Sequence, residues 1–321
     1  MRDAGKVKRE LKAAQGFGLK KDKKKRVHIR VRSSRSTKRI KRRSALFIAP
    51  SMLGVLVFFV IPFMVVIYYS TVDNPISKQF VGLENFKLVL NNAAFRTAVS
   101  NTARFSAIAV PLSVVLSLML AIVLDMKLPF RSQFRTFFLS PMMVPVASIV
   151  LIWQVLFHKN GMVNDIIMHF GMERIDWFKS THSTEVVVLL FLWKNLGYNM
   201  ILFMAALASV PKDLLEVARL ENASPWQVFL HIKLRYLSST ILFVTIMSLI
   251  NSFKIFREIY LLTADYPHDA IYMLQHYMNN KFRNLDYQAL SAAAILMSLV
   301  MIVIIGFLFV VENYFGKDVE G

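Results

Sequence analysis

Six apolar runs, each about as long as a lipid bilayer core is thick, restrict this chain to few folds before any motif is read. They fall at Ala45–Ser70, Phe105–Leu124, Phe137–Phe157, Val186–Val210, Leu237–Leu262 and Ala289–Val311. About 20 apolar residues cross the hydrocarbon as a helix. In lipid every backbone N–H and C=O must find its partner within the protein, so runs of this length predict α-helices. The expected fold class is therefore all-α, a polytopic membrane protein with six transmembrane helices. A hydrophobic content of 55% excludes an ordinary soluble domain. Pro62, Pro111, Pro141 and Pro145 lie within or beside these runs, where membrane helices tolerate proline better than soluble ones do.

The net charge of +19 suggests nucleic-acid binding until it is localised. Met1–Arg43 carries 19 Lys/Arg against three acids, and the rest of the chain carries 20 bases against 17 acids. The basicity thus belongs to a tail. Blocks such as Lys23-Lys24-Lys25-Arg26 repel themselves and stay disordered. Their expected partner is the anionic lipid surface, at about 1 kcal/mol per basic residue, and not nucleic acid. Residues 1–43 are accordingly read as a basic, disordered cytoplasmic tail and residues 44–321 as the transmembrane domain. The basic region is too long, and the apolar run behind it too extended, for a signal peptide. Basic residues flanking short loops mark the cytoplasmic side. That places Asp125–Arg135 and Pro211–Tyr236 with the tail, and six spans return Tyr314–Gly321 to the same side. The expected location is the cell membrane, multi-pass, with both termini cytoplasmic.

Pro211–Tyr236, PKDLLEVARLENASPWQVFLHIKLRY, is a polar island between two apolar runs. Pro211 and Asp213 suit a helix start. Leu214, Leu215, Val217 and Ala218 give that helix an apolar side, and Asn222 suits its end, since Asn tolerates a left-handed backbone. Ser224 then provides a hydroxyl N-cap with Pro225 at the first position of a second helix. Trp226, Phe229, Leu230 and Ile232 form its apolar face.

Glu216-Val217-Ala218-Arg219-Leu220-Glu221-Asn222-Ala223 resembles the EAA-type cytoplasmic loop of permeases in binding-protein-dependent ABC importers. The chain departs from that pattern at Val217, at Asn222 in place of Gly and at Arg235 in place of Pro, and it keeps Ile232 and Leu234. Upstream, Gly82-Leu83-Glu84-Asn85-Phe86 resembles a GLxNF element, and Asn101-Thr102 with Pro111-Leu112-Ser113 the start of the second span. The stretch from Phe134 to Pro141 resembles an FRT-x-FFLP segment, and Trp153, Gly161 and Asn164 a W, G-x-x-N pattern. Taken in this order, the motifs make the chain similar to the MalF/UgpA-type permease subunit of carbohydrate importers. A further departure is Leu262–Pro267, LTADYP, where many such permeases carry a glycine-rich LTGGGP.

The resemblance implies an import function for a sugar or oligosaccharide. It also implies a second permease, a cytoplasmic ATPase pair that binds the ATP, and an extracytoplasmic solute-binding protein. This chain itself would need no cofactor. Glu216, Ala218, Asn222 and Ala223 would then belong to the coupling-helix loop that docks on the ATPase.

Polar groups at membrane depth need partners or a wet cavity. In the fourth run these are Lys194, Asn195, Tyr198 and Asn199. In the fifth, Asn251, Lys254 and Glu258 fall at i, i+3 and i+7, with Arg257 beside them. They are candidates for a solute pathway, with Trp153, Trp193 and Tyr198 available to stack on sugar faces; Lys254 and Glu258 are spaced for an i, i+4 pair. The alternative is that Lys254, Arg257 and Glu258 pair structurally or snorkel to an interface. Lys194, Lys254 and Arg257 also leave glycerol phosphate or a polyol open as solutes.

Enzyme chemistry has little support. The chain has no Cys, hence no thiolate site. His158, His169 and His182 match no helical metal spacing, and no phosphate-cradling Gly-x4-Gly-Lys-Ser/Thr loop is present. A membrane-embedded enzyme and a structural membrane protein remain the readings from other classes.

Overall fold

The structure, a computed structural model, describes residues 47–126 and 129–316. The expected tail at 1–43, Lys127 and the last five residues lie outside the described residues. The chain divides into two units, Met1–Val60 and Ile61–Gly321. In the first, residues 47–60 are helical, with a π-helical turn at Leu56–Val60. Its side chains are almost all exposed.

The second unit contains α1 (Ile61–Ser70), α2 (Glu84–Asn91), α3 (Ala93–Asp125), α4 (Arg131–Met143), α5 (Val146–Leu156), α6 (Met162–His169) and α7 (Ser183–Ala208). The polar island follows as α8 (Lys212–Leu220) and α9 (residues 225–236), the latter with a π-helical turn at Phe229–Lys233. Then come α10 (Ser238–Phe253), α11 (Phe256–Thr263), α12 (Leu274–Arg283) and α13 (Tyr287–Gly316). Among the described residues, five stretches are helical, long and apolar enough to cross a membrane: Phe47–Ser70, Ala93–Asp125, Ser183–Ala208, Ser238–Thr263 and Tyr287–Tyr314.

The expected third span is a correction. Phe137–Phe157 is not one straight helix but the pair α4 and α5, bent by 100°. Pro145 explains the break. Its ring disfavours the helical region for the residue before it, and Val144 is extended at φ −85°, ψ 133°. The pair nevertheless carries the chain along the bundle. Ala121 and Leu124, at the end of α3, pack with Met200 to Leu207 at the end of α7; Phe105 and Ala109 pack with Val187 and Phe191 near its start. So α3 and α7 run parallel, and the segment between them must return from one bundle end to the other.

α3 is the central element, packed against α7, α10 and α12. It begins at Ala93, twelve residues before the expected run at Phe105, because Asn92 caps it: the Asn92 side chain accepts the Phe95 N–H at 3.2 Å. α10 runs antiparallel to it. Val244 joins the cluster around Ala121, and Ser252 Oγ lies 2.8 Å from Ser106 Oγ.

The motif residues upstream act as clasps. Gly82 takes φ +60°, a backbone suited to glycine. Asn85 is buried and donates to the carbonyls of Ser70 and Val72 at 3.0 and 2.8 Å, tying α2 to the end of α1. Asn164 is fully buried. Its Nδ2 donates to the carbonyls of His158, Lys159 and Ile175, and its Oδ1 accepts the Ile175 N–H at 3.0 Å, which closes the loop around α6.

The LTADYP departure has a conformational consequence. Ala264 sits at φ 61°, ψ −150°, a region that only glycine enters without strain, at a cost on the order of 1–3 kcal/mol. Ala264→Gly is therefore expected to stabilise the protein by about 1 kcal/mol after the extra unfolded-state entropy of glycine is subtracted. Thermal melting of the purified variant checks this; a lower melting temperature than the parent's would refute it.

Candidate functional site

Helical spacing decides which side chains meet. Phe191, Lys194, Asn195 and Tyr198 stand on one face of α7. With Ile250, Asn251 and Lys254 from the end of α10, and Phe256, Arg257 and Glu258 from α11, they line a cavity of about 650 Å³. Met142 closes it from α4 and Gln275 from α12. Five of the six predicted pathway residues are thus brought together: Lys194, Asn195, Asn251, Lys254 and Glu258. Arg257 joins them.

Asn199 is not on that wall. It is 2% exposed, and its amide nitrogen donates to Ser113 Oγ and Ser248 Oγ, both at 3.0 Å. Both amide hydrogens are spent clamping α7 to α3 and α10. The two serines come from distant parts of the chain: Ser113 ends the Pro111-Leu112-Ser113 motif, whereas Ser248, between Met247 and Leu249, carried no sequence signal.

The expected Lys254–Glu258 pair is a second correction. The helix breaks between them at Lys254–Ile255, so the i, i+4 geometry is lost. Glu258 pairs instead with Lys194 of α7, whose Nζ donates to Glu258 Oε1. Glu258 is 3% exposed, and a carboxylate so buried needs such a partner. Beside this pair, Asn251 Nδ2 donates to Asn195 Oδ1 at 3.0 Å, and Asn195 Nδ2 to the Phe191 carbonyl at 2.8 Å. Two amides are thereby oriented at the cavity wall.

Of the aromatics, Tyr198 lines the cavity. Trp153 does not; it is buried and stacked on Phe157 at 5.1 Å. Trp193 contacts Trp153 at 6.1 Å. Gln275 carried no sequence signal, since it arrives from α12 after the loop. Next to it His276 is buried against Phe256, ring centroids 4.6 Å apart, and burial lowers its pKa to about 4. It is therefore neutral at physiological pH and adds no charge near this wall. Among the described residues no group of three or more His, Asp or Glu could hold a metal ion.

The polar island is the second candidate surface. α8 ends in a Schellman motif: Asn222 N–H donates to the Arg219 carbonyl and Ala223 N–H to the Ala218 carbonyl at 2.9 Å. Asn222 takes the left-handed backbone, φ +56°. α9 opens with a capping box in which Gln227 N–H donates to Ser224 Oγ at 3.3 Å and Ser224 N–H to Gln227 Oε1 at 2.8 Å. Leu215, Ile232 and Tyr236 pack on the cluster formed by the ends of α3 and α7. Lys233 pairs with Asp125 at 3.6 Å, and Asp125 also faces Arg131 at 3.6 Å. Ala218 is buried within the chain, whereas Leu220 (86%) and Trp226 (66%) are exposed together with Leu214, Val217 and Leu230. Glu216 and Asn222 are exposed and Ala223 is half-buried. The island is anchored on one side and apolar on the other.

Comparison with known proteins agrees with this architecture. The family described as binding-protein-dependent transport system inner membrane component matches residues 113–321. The chain is 30% identical over 231 residues to the arabinooligosaccharides transport system permease protein AraP of Bacillus subtilis, covering 68% of this chain and 71% of that protein. It is 29% identical over 264 residues to AmyD of Thermoanaerobacterium thermosulfurigenes, a probable starch degradation products permease, with 81% and 90% covered. Identity is also 29% over 268 residues with the sn-glycerol-3-phosphate permease UgpA of Salmonella typhimurium, again with 81% and 90% covered. Among solved structures, a chain of a bacterial ABC transporter involved in alginate import shares the fold, with a TM-score of 0.75 at 20% identity. The match covers 90% of this chain and 100% of that one. With its apolar helices and helix-break-helix island, this chain is a transport permease and belongs to the family of binding-protein-dependent transport system inner membrane components.

Proposed function

We propose that this chain is one of two permeases in an importer that moves a sugar or oligosaccharide into the cytoplasm. The observation that carries the reading is the island 211–236, whose exposed apolar side has no place on a solvated loop unless a partner covers it. In this reading the partner is a cytoplasmic ATPase, which binds the ATP and drives transport. Leu215, Ile232, Tyr236 and the Lys233–Asp125 pair make the island a lever rigidly tied to the ends of α3 and α7. Closure of the ATPase pair would push on that lever and bias the bundle between inward and outward openings.

The similarity to permeases for arabinooligosaccharides and starch degradation products supports a carbohydrate solute. A solved alginate transporter in complex with a pentasaccharide-bound periplasmic protein supports an extracytoplasmic binding protein as a further partner. In this reading the bent α4–α5 pair counts as one crossing, and the resulting six spans support both termini on the cytoplasmic side together with the island.

Purifying the tagged chain from its native membrane in mild detergent, and identifying what accompanies it by mass spectrometry, tests the assembly. An ATPase, a second permease and a solute-binding protein are expected; recovery of the chain alone overturns the reading. Glu216 lies exposed on α8, so Glu216→Lys is expected to cut solute uptake about tenfold or more, equal to about 1.4 kcal/mol of lost docking, with membrane insertion intact. Uptake assays against immunoblotted membrane levels check it, and parental uptake would count against docking through α8.

A further inference from the structure

We propose that the cavity between α7, α10 and α11 receives a solute bearing a negative charge, a carboxylate or phosphate on the carbohydrate, and that Lys254 and Arg257 recognise it. This rests on the reading of the chain as a carbohydrate permease and narrows its substrate class.

The charges that line the cavity do not balance. Four charged side chains line the cavity: Lys194, Lys254, Arg257 and Glu258. Glu258 is buried and already held by Lys194, so those two cancel. Lys254 and Arg257 are exposed on the same cavity, and neither has an ion-pair partner among the described residues. The other walls offer no acid. α4 presents Met142, α12 presents Gln275, and α7 and α10 add Asn195, Tyr198 and Asn251. Charges of one sign in a cleft with apolar walls concentrate counter-ions, because the field is poorly screened there.

The two cations suit the same groups in different ways. A guanidinium meets a carboxylate or phosphate with two parallel hydrogen bonds, and an ammonium adds a mobile point charge. Asn195 and Asn251, fixed by their mutual hydrogen bond, are placed to meet sugar hydroxyls, and the Tyr198 ring is placed to meet a sugar face. A neutral sugar would use the amides and the ring and leave both cations uncompensated. An acidic sugar uses all of them.

The test is uptake by the complete importer, purified with its partners and reconstituted in liposomes, with three probes: maltotriose, trigalacturonate and glucose 6-phosphate. An acidic probe is expected to be taken up, and its uptake relative to maltotriose should fall about tenfold in the double variant Lys254→Gln/Arg257→Gln, equivalent to about 1.4 kcal/mol. Arg257→Lys, which keeps the charge, should retain most of that ratio. Preference for trigalacturonate identifies a carboxylate, preference for glucose 6-phosphate a phosphate. An unchanged ratio in the double variant overturns the inference. Uptake of maltotriose alone also overturns it, while leaving carbohydrate import standing. Uptake of no probe, by an assembled complex that hydrolyses ATP, overturns the carbohydrate reading as well.

Discussion

Gly197→Ala is expected to drive α4 off α7 and to leave little folded protein. A Cβ built on Gly197 would lie 1.9 Å from the Phe138 carbonyl oxygen and 2.5 Å from its carbon. Both atoms belong to the backbone of α4, so no side-chain rotation relieves the contact. Overpacking usually costs 1–3 kcal/mol and occasionally more; a backbone-to-backbone clash belongs at the upper end, about 3 kcal/mol or above. Gly306→Ala is the control, since a Cβ there meets nothing within 4 Å, and alanine in a helix is favoured over glycine by up to about 1 kcal/mol. Thermal melting and folded yield in detergent separate the two. If Gly197→Ala matched the parent, the close approach of α4 to α7 would be wrong, and with it one wall of the cavity.

The second large effect belongs to the Lys194–Glu258 pair. Lys194→Met is expected to destabilise the protein by about 3 kcal/mol, the low end of the cost of stranding a buried charge. The low end applies because the Lys194 side chain is 28% exposed and water screens part of the interaction, although the Glu258 side chain is only 4% exposed. Adding Glu258→Gln should recover most of the loss, since the double variant no longer strands a carboxylate. The recovery is a coupling energy, readable from a double-mutant cycle of melting curves. A double variant no more stable than Lys194→Met would mean that the two residues do not depend on each other.

The two predictions also show how far the amino-acid sequence could be read. The island was legible because its signals are local. Asn222, Ser224 and Pro225 each act on the backbone within a few residues, and all three do what such residues do at helix ends. The bend at Val144–Pro145 was equally local, and the rule for residues preceding proline would have found it; treating the proline as merely tolerated in a membrane helix hid it. The Lys194–Glu258 pair is different in kind. Its partners lie 64 residues apart, and the break at Lys254–Ile255 replaced the neighbour that periodicity suggested with one from another helix. Asn199 followed the same face rule as Asn195, yet it turned to two buried serines on α3 and α10.

Sequence alone therefore determined the all-α membrane class, the positions of the apolar runs and the capped island between them. Each follows from hydrophobic runs and from backbone preferences acting over a few residues. Only the tertiary structure decided which intramembrane polar groups are consumed by one another and which face a cavity. That outcome depends on how each helix is rotated about its axis and where it is broken, and packing against residues far away in the chain sets both.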